Sequence, residues 1–119
     1  MINVWLDDQR NPNQWGRKGF VWVKTVNDAV KILNKQDVHI ISLDCDLSPK
    51  QYVYSGINYD NMTPTGVDLI RWMIRFKKIP DYVEIHSAND IARMKMLNLL
   101  KQHIEDSRIL LLLPTKVIL

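Results

Sequence analysis

Apolar residues occur along this chain in short bursts separated by segments of a longer period. Residues 2–6 (INVWL), 20–23 (FVWV), 38–43 (VHIISL), 82–86 (YVEIH) and 108–113 (RILLLL) have strand length, and 38–43 is apolar enough to be central in a sheet. Between them the period changes to that of a helix. Val26, Ala29, Val30 and Leu33 share one face of a helix over 26–35, with Thr25 as its N-cap. Val67, Ile70, Met73 and Ile74 do the same over 65–78, which ends in a basic turn at Lys77 and Lys78 before Pro80. Ile91, Met94, Leu97, Leu100 and Ile104 mark a third helix over 90–105. Residues 9–19, with a proline and two glycines, lack periodicity and read as loop, as does the long polar stretch 45–64 with Tyr52, Tyr54 and Tyr59.

Strands alternating with helices predict an α/β domain with a parallel sheet wrapped by right-handed crossovers. Two helices are missing from a complete five-stranded alternation. None separates the first two strands, and only Pro114–Leu119 follows the fifth. One sheet face is therefore left to the 9–19 loop with Trp15, to the Lys116–Leu119 tail, or to a second subunit in a homodimer.

Composition narrows the setting without changing this picture. With 119 residues, 46% hydrophobic and 24% charged, the chain has the size and balance of one globular domain, 1–119. The net charge of +3 is spread over scattered lysines and arginines, the pattern of a solvated surface. Cys45 is alone, which excludes a disulfide framework or a cysteine zinc cluster. No apolar run reaches the ~20 residues of a membrane span, and residues 1–6 lead straight into two aspartates instead of forming a signal peptide. A cytoplasmic, reducing setting is the expectation.

The chemistry gathers at strand ends. In an open parallel sheet the ligand crevice lies beyond the carboxyl ends of the strands. There the first strand carries Asp7 and Asp8, the third Asp44, and the fourth His86. Three carboxylates at neighbouring ends make a hard oxygen site suited to Mg²⁺ or Mn²⁺, and a cation relieves their mutual repulsion. Asp46 can join them or point away as a turn carboxylate. Arg10 can present its guanidinium to a phosphate or close a loop salt bridge. Thr65, before Gly66, can cap its helix or help hold an anion there. His86 can act as a general acid or base, or be structural, with Ser87 and Asn89 donating hydrogen bonds to phosphate oxygens. His39 and His103 read as structural.

As a set these residues resemble the receiver domains of two-component signalling, in which an acidic pair holds Mg²⁺ and a third aspartate accepts a phosphoryl group. A receiver also carries a lysine, usually followed by proline, at the end of strand five. Here Leu113 precedes Pro114, and Lys116 comes too late. The chain more closely resembles the cyclic-phosphate processing receiver domain family, with its pattern L-D-D-x-R-x-P, S-L-D-H-D-L, T-G and H-S-x-N followed by a methionine. The counterparts are Leu6-Asp7-Asp8-Gln9-Arg10-Asn11-Pro12, Ser42-Leu43-Asp44-Cys45-Asp46-Leu47, Thr65-Gly66 and His86-Ser87-Ala88-Asn89 with Met94. Cys45 replaces the pattern's histidine and Asp90 a more usual proline.

The resemblance implies a flavodoxin-like receiver fold, a five-stranded parallel sheet in the order 2-1-3-4-5, here without its first and last helices. It also implies a cyclic-phosphate or nucleotide ligand: metal held by Asp7, Asp8 and Asp44, phosphate braced by Arg10, Thr65, Ser87 and Asn89, and a leaving oxygen protonated by His86, so that Asp44 and His86 are the catalytic candidates. Base stacking by the tyrosines of 45–64 would complete such a site. A non-catalytic module binding a partner or sequestering a nucleotide is the alternative.

Overall fold

Five parallel strands form one sheet, in the order 2-1-3-4-5 when numbered along the chain, and three α-helices lie between them among the described residues. The computed structural model describes residues 1–47 and 64–113. The tyrosines of the long loop and the Lys116–Leu119 tail therefore lie outside the described residues. In chain order the elements are β1 (Ile2–Leu6), β2 (Val21–Val23), α1 (Val26–Lys35), β3 (Val38–Leu43), α2 (Gly66–Phe76), β4 (Tyr82–Ile85), α3 (Asp90–Lys101) and β5 (Ile109–Leu111). Short 3₁₀ turns occupy Pro12–Trp15 and Asp106–Arg108. The order, the parallel pairing and the absence of a helix between β1 and β2 all match the reading from sequence.

Alternation along the strands sends Val4, Leu6, Ile41, Leu43, Val83 and Ile85 into the core beneath the helices. Helix α1 contributes Val26, Ala29 and Leu33, with Val30 only half-buried; α2 contributes Gly66, Leu69, Ile70 and Met73, with Val67 and Ile74 at its margin. The expected face of α3 holds at Leu100 and Ile104, with Leu97 partly buried, and fails at Ile91 and Met94. Ile91 and Met94 are 72% and 54% exposed, and the buried positions are Ala92, Met96 and Leu100, followed by Ile104. The reason is close packing against α2, because a Cβ built on Gly66 would lie 2.9 Å from the Met96 Cε. Helix α3 also stops at Lys101, where the backbone N–H groups of His103 and Ile104 both turn back to the Leu100 carbonyl.

The opposite sheet face carries Trp5, Ser42 and Glu84 side by side, in register Trp5↔Ser42 and Ser42↔Glu84. All three are 2% exposed or less. The 9–19 loop closes over them. The Trp5 indole N–H donates to the Arg10 carbonyl (2.8 Å), and the Arg17 guanidinium pairs with Glu84 (2.6 Å).

Candidate functional site

The strand ladders continue one residue beyond β1, β3 and β4, and this places the site. The backbone N–H of Asp7 donates to Val23, that of Asp44 to Leu6 and that of His86 to Leu43, at 2.9–3.1 Å. Three ionisable side chains are thus held at adjacent carboxyl ends. The second fixed point is Gly66. A Cβ there would fall 2.2 Å from the Asp44 carbonyl oxygen, so glycine lets the start of α2 pass against the Asp44 backbone. The Gly66 N–H also donates to the Cys45 carbonyl (3.0 Å).

Asp7, Asp8 and Asp44 each offer a carboxylate oxygen, and these oxygens all lie within 4.8 Å of one another. Asp7 is fully buried. Its Oδ1 accepts from the backbone N–H groups of Gln9 and Arg10 (2.8 and 2.9 Å), and its Oδ2 meets the Arg10 guanidinium (3.3 Å) and His86 Nε2 (3.0 Å). Burial alone would raise the Asp7 carboxyl. The hydrogen bonds from His86, Arg10 and Gln9 outweigh it and hold the group below the ordinary carboxylate range. Asp44 goes the other way: burial first, then the charge of Asp7, lifts its carboxyl to about 7. The Arg10 guanidinium, 3.5 Å from Asp44 Oδ2, offsets part of this. The donors are hard oxygens, and the cluster is short of positive charge, which is what a divalent cation fits. The acidic cluster can hold a metal ion.

The cleft in front, of about 220 Å³, is lined by Asp7, Asp8, Gln9, Arg10, Asp44, Asp46, Ser87, Ala88 and Asn89. Ser87 is buried, its hydroxyl accepting from the Asn89 N–H (3.2 Å), and Arg93 holds the turn by donating to the Ser87 carbonyl (3.0 Å). Asn89 caps α3, its Oδ1 accepting from the Ala92 N–H, while its Nδ2 donates to Asp46 (3.4 Å). Asp46 is exposed at the cleft, outside the carboxylate trio. Thr65 lies elsewhere. It forms a capping box with Asp68 on α2 and borders a neighbouring cleft of about 340 Å³, which shares Asp46 and Asn89 with the first. Cys45 packs in the core and also borders that second cleft; burial pushes its thiol up.

His86 does not line the cleft. Its ring is 1% exposed, stacks flat on Trp5 (3.7 Å between centroids, 5° apart), and has both nitrogens engaged: Nε2 with Asp7 and Nδ1 with the Ser42 hydroxyl (2.8 Å). Burial pushes the ring below its ordinary pKa, against the pull of Asp7. With a neutral ring giving its Nε2–H to Asp7, the single Ser42 proton faces two acceptors, Nδ1 and Glu84 Oε1 (2.7 Å). Ser42, Glu84 and Arg17 were absent from the site read off the sequence. Ser42 and Glu84 each stand as a polar residue inside a strand, Ser42 also opening the Ser42-Leu43-Asp44 run, whereas Arg17 lies in the 9–19 loop and carried no signal.

A parallel sheet in this order, with an acidic cluster and a cleft at its carboxyl edge, defines a receiver-like α/β domain. The chain belongs to the cyclic-phosphate processing receiver domain family, whose model matches residues 2–102. No curated protein matches it. Among the described residues no helix is long and apolar enough to cross a membrane.

Proposed function

We propose that the chain binds Mg²⁺ or Mn²⁺ at Asp7, Asp8 and Asp44 and acts there on a cyclic phosphate ester, a cyclic nucleotide or an RNA 2′,3′-cyclic end, as a metal-dependent phosphoesterase. The observation that carries the reading is the meeting of three carboxylate oxygens within 4.8 Å at the mouth of a cleft that also holds Arg10, Ser87 and Asn89. A hard divalent ion bound there supplies Lewis-acid polarisation of a phosphoryl oxygen. The chain's own part is binding and orientation. Arg10, at the edge of the acidic cluster, would offer its fork to the phosphate, and Ser87 and Asn89 would brace the remaining oxygens. The adjoining cleft with Thr65 has room for the sugar or base. A proton from His86 reaches the cleft only by way of Asp7 Oδ2.

That last point favours a second reading, a module that binds the ligand without turning it over, because His86 stands behind Asp7 instead of facing the ester. Calorimetric titration with Mn²⁺ and Mg²⁺, followed by a screen of cyclic mononucleotides, cyclic dinucleotides and 2′,3′-cyclic phosphates for binding and hydrolysis, separates the two. Losing an outer partner of a metal ligand costs ~10–100-fold in affinity or activity, so Asp44→Asn is expected to cost at least ~100-fold in metal-dependent binding and turnover. Unchanged values in that variant would sink both readings.

A further inference from the structure

The back of the sheet holds a row of buried polar groups that ligand binding does not call on. A buried carboxylate is costly unless it is paired and fully hydrogen-bonded, and apolar residues would cover the same area at lower cost. Glu84 is paired on every side. Arg17 donates from Nε to Oε1 (3.1 Å) and from its terminal nitrogen to Oε2 (2.6 Å), and the one proton of the Ser42 hydroxyl is shared between Oε1 (2.7 Å) and His86 Nδ1 (2.8 Å). Ser42 in turn meets His86 Nδ1, and His86 Nε2 meets Asp7. The row runs unbroken from the covering loop to the acidic cluster.

Its effect falls on one oxygen. Asp7 Oδ1 is fixed by two backbone N–H groups, whereas among the described residues Oδ2 meets two side chains, His86 and Arg10. Stacking on Trp5 sets the plane of the His86 ring, but stacking does not fix its rotation within that plane. The contact at Nδ1 does. We propose that Ser42, Glu84 and Arg17 are positioning residues for the acidic cluster, holding the His86 ring from behind so that Nε2 fixes Asp7 Oδ2 among the metal-binding oxygens. The consequence for metal rests on the reading above; the orientation of the ring does not.

The test uses the intact chain and two readouts. Ser42→Ala is expected to move the His86 ring ¹⁵N chemical shifts and to weaken Mn²⁺ binding roughly tenfold, the lower end for loss of an outer partner. Glu84→Gln, which keeps the shape of the row but not its charge, moves both in the same direction. Leu33→Ala, a cavity on the helical side, lowers stability and leaves Mn²⁺ affinity unchanged. If folded Ser42→Ala keeps both ring shifts and affinity, or if Leu33→Ala loses affinity in proportion to stability, the proposal is overturned. Should Ser42→Ala fail to fold, Arg17→Ala cuts the row at its half-exposed end and carries the same test with a smaller loss. A wild-type chain that binds no Mn²⁺ overturns the metal reading, and the ring shifts alone then decide whether the row positions His86.

Discussion

Asp44 sits 6% exposed between Asp7 and Asp46, its carboxyl lifted to about 7 by burial and then by the Asp7 charge. A carboxyl whose folded pKa stands above its unfolded one contributes stability fully below the ordinary carboxylate pKa, and loses it as pH rises through the folded value. Metal-free protein should therefore lose up to ~4 kcal/mol of this contribution between pH 4 and 7. Asp7 and His86, both lowered, work in the opposite sense: each favours the fold as pH rises, Asp7 through the acid range and His86 up to its ordinary pKa. Urea denaturation in EDTA should thus compare the wild type with Asp44→Asn, the wild type falling relative to the variant as pH rises. A constant difference between the two would refute the charge account. Asp7, Asp8, Asp44, Arg10, Ser87 and Asn89 were legible in the sequence because each is polar where an apolar strand or its turn ends. Ser42, Glu84 and Arg17 were not, because polar residues inside two strands and an arginine in the 9–19 loop show no connection until the sheet brings them together.

At the scale of elements, the start of α2 has no room for a side chain. A methyl group on Gly66 would meet the Asp44 carbonyl oxygen at 2.2 Å, and backbone cannot swing aside as the end of a side chain can. Gly66→Ala is expected to cost about 3 kcal/mol in chemical denaturation and to displace Asp44, weakening any metal bound there. A variant as stable as the wild type would contradict this. On its other side Gly66 lies against Met96, which goes with the burial of Ala92 and Met96 on α3 in place of Ile91 and Met94. Ile91, Met94 and Leu97 offer one apolar stripe, Ala92, Met96 and Leu100 another. Both have helical spacing, and only the neighbour selects between them. Small Ala92 and flexible Met96 fit beside the start of α2, while Ile91 stands at the open cleft that Thr65 also lines.

For the whole molecule, the central question is what covers the sheet face that carries Trp5, Ser42 and Glu84. Trp5, Ser42 and Glu84 are closed off within one chain by the 9–19 loop, pinned by Trp5 at Arg10 and by Glu84 at Arg17. A second copy is not needed to bury the centre of this face. Sedimentation at micromolar concentration is expected to give the mass of one chain, 14.0 kDa; twice that mass would favour the homodimer.

The sequence by itself determined the element order, the parallel sheet and the acidic edge, because period, turn residues and the polarity at strand ends are local properties carried by consecutive residues. Only the tertiary structure decided which face of α3 is buried, that His86 stands behind Asp7, and that Arg17, Glu84 and Ser42 connect the covering loop to the site. Each of these depends on which strands lie side by side, and residues separated by 42 to 79 positions in the chain become hydrogen-bonded neighbours only once the sheet is assembled.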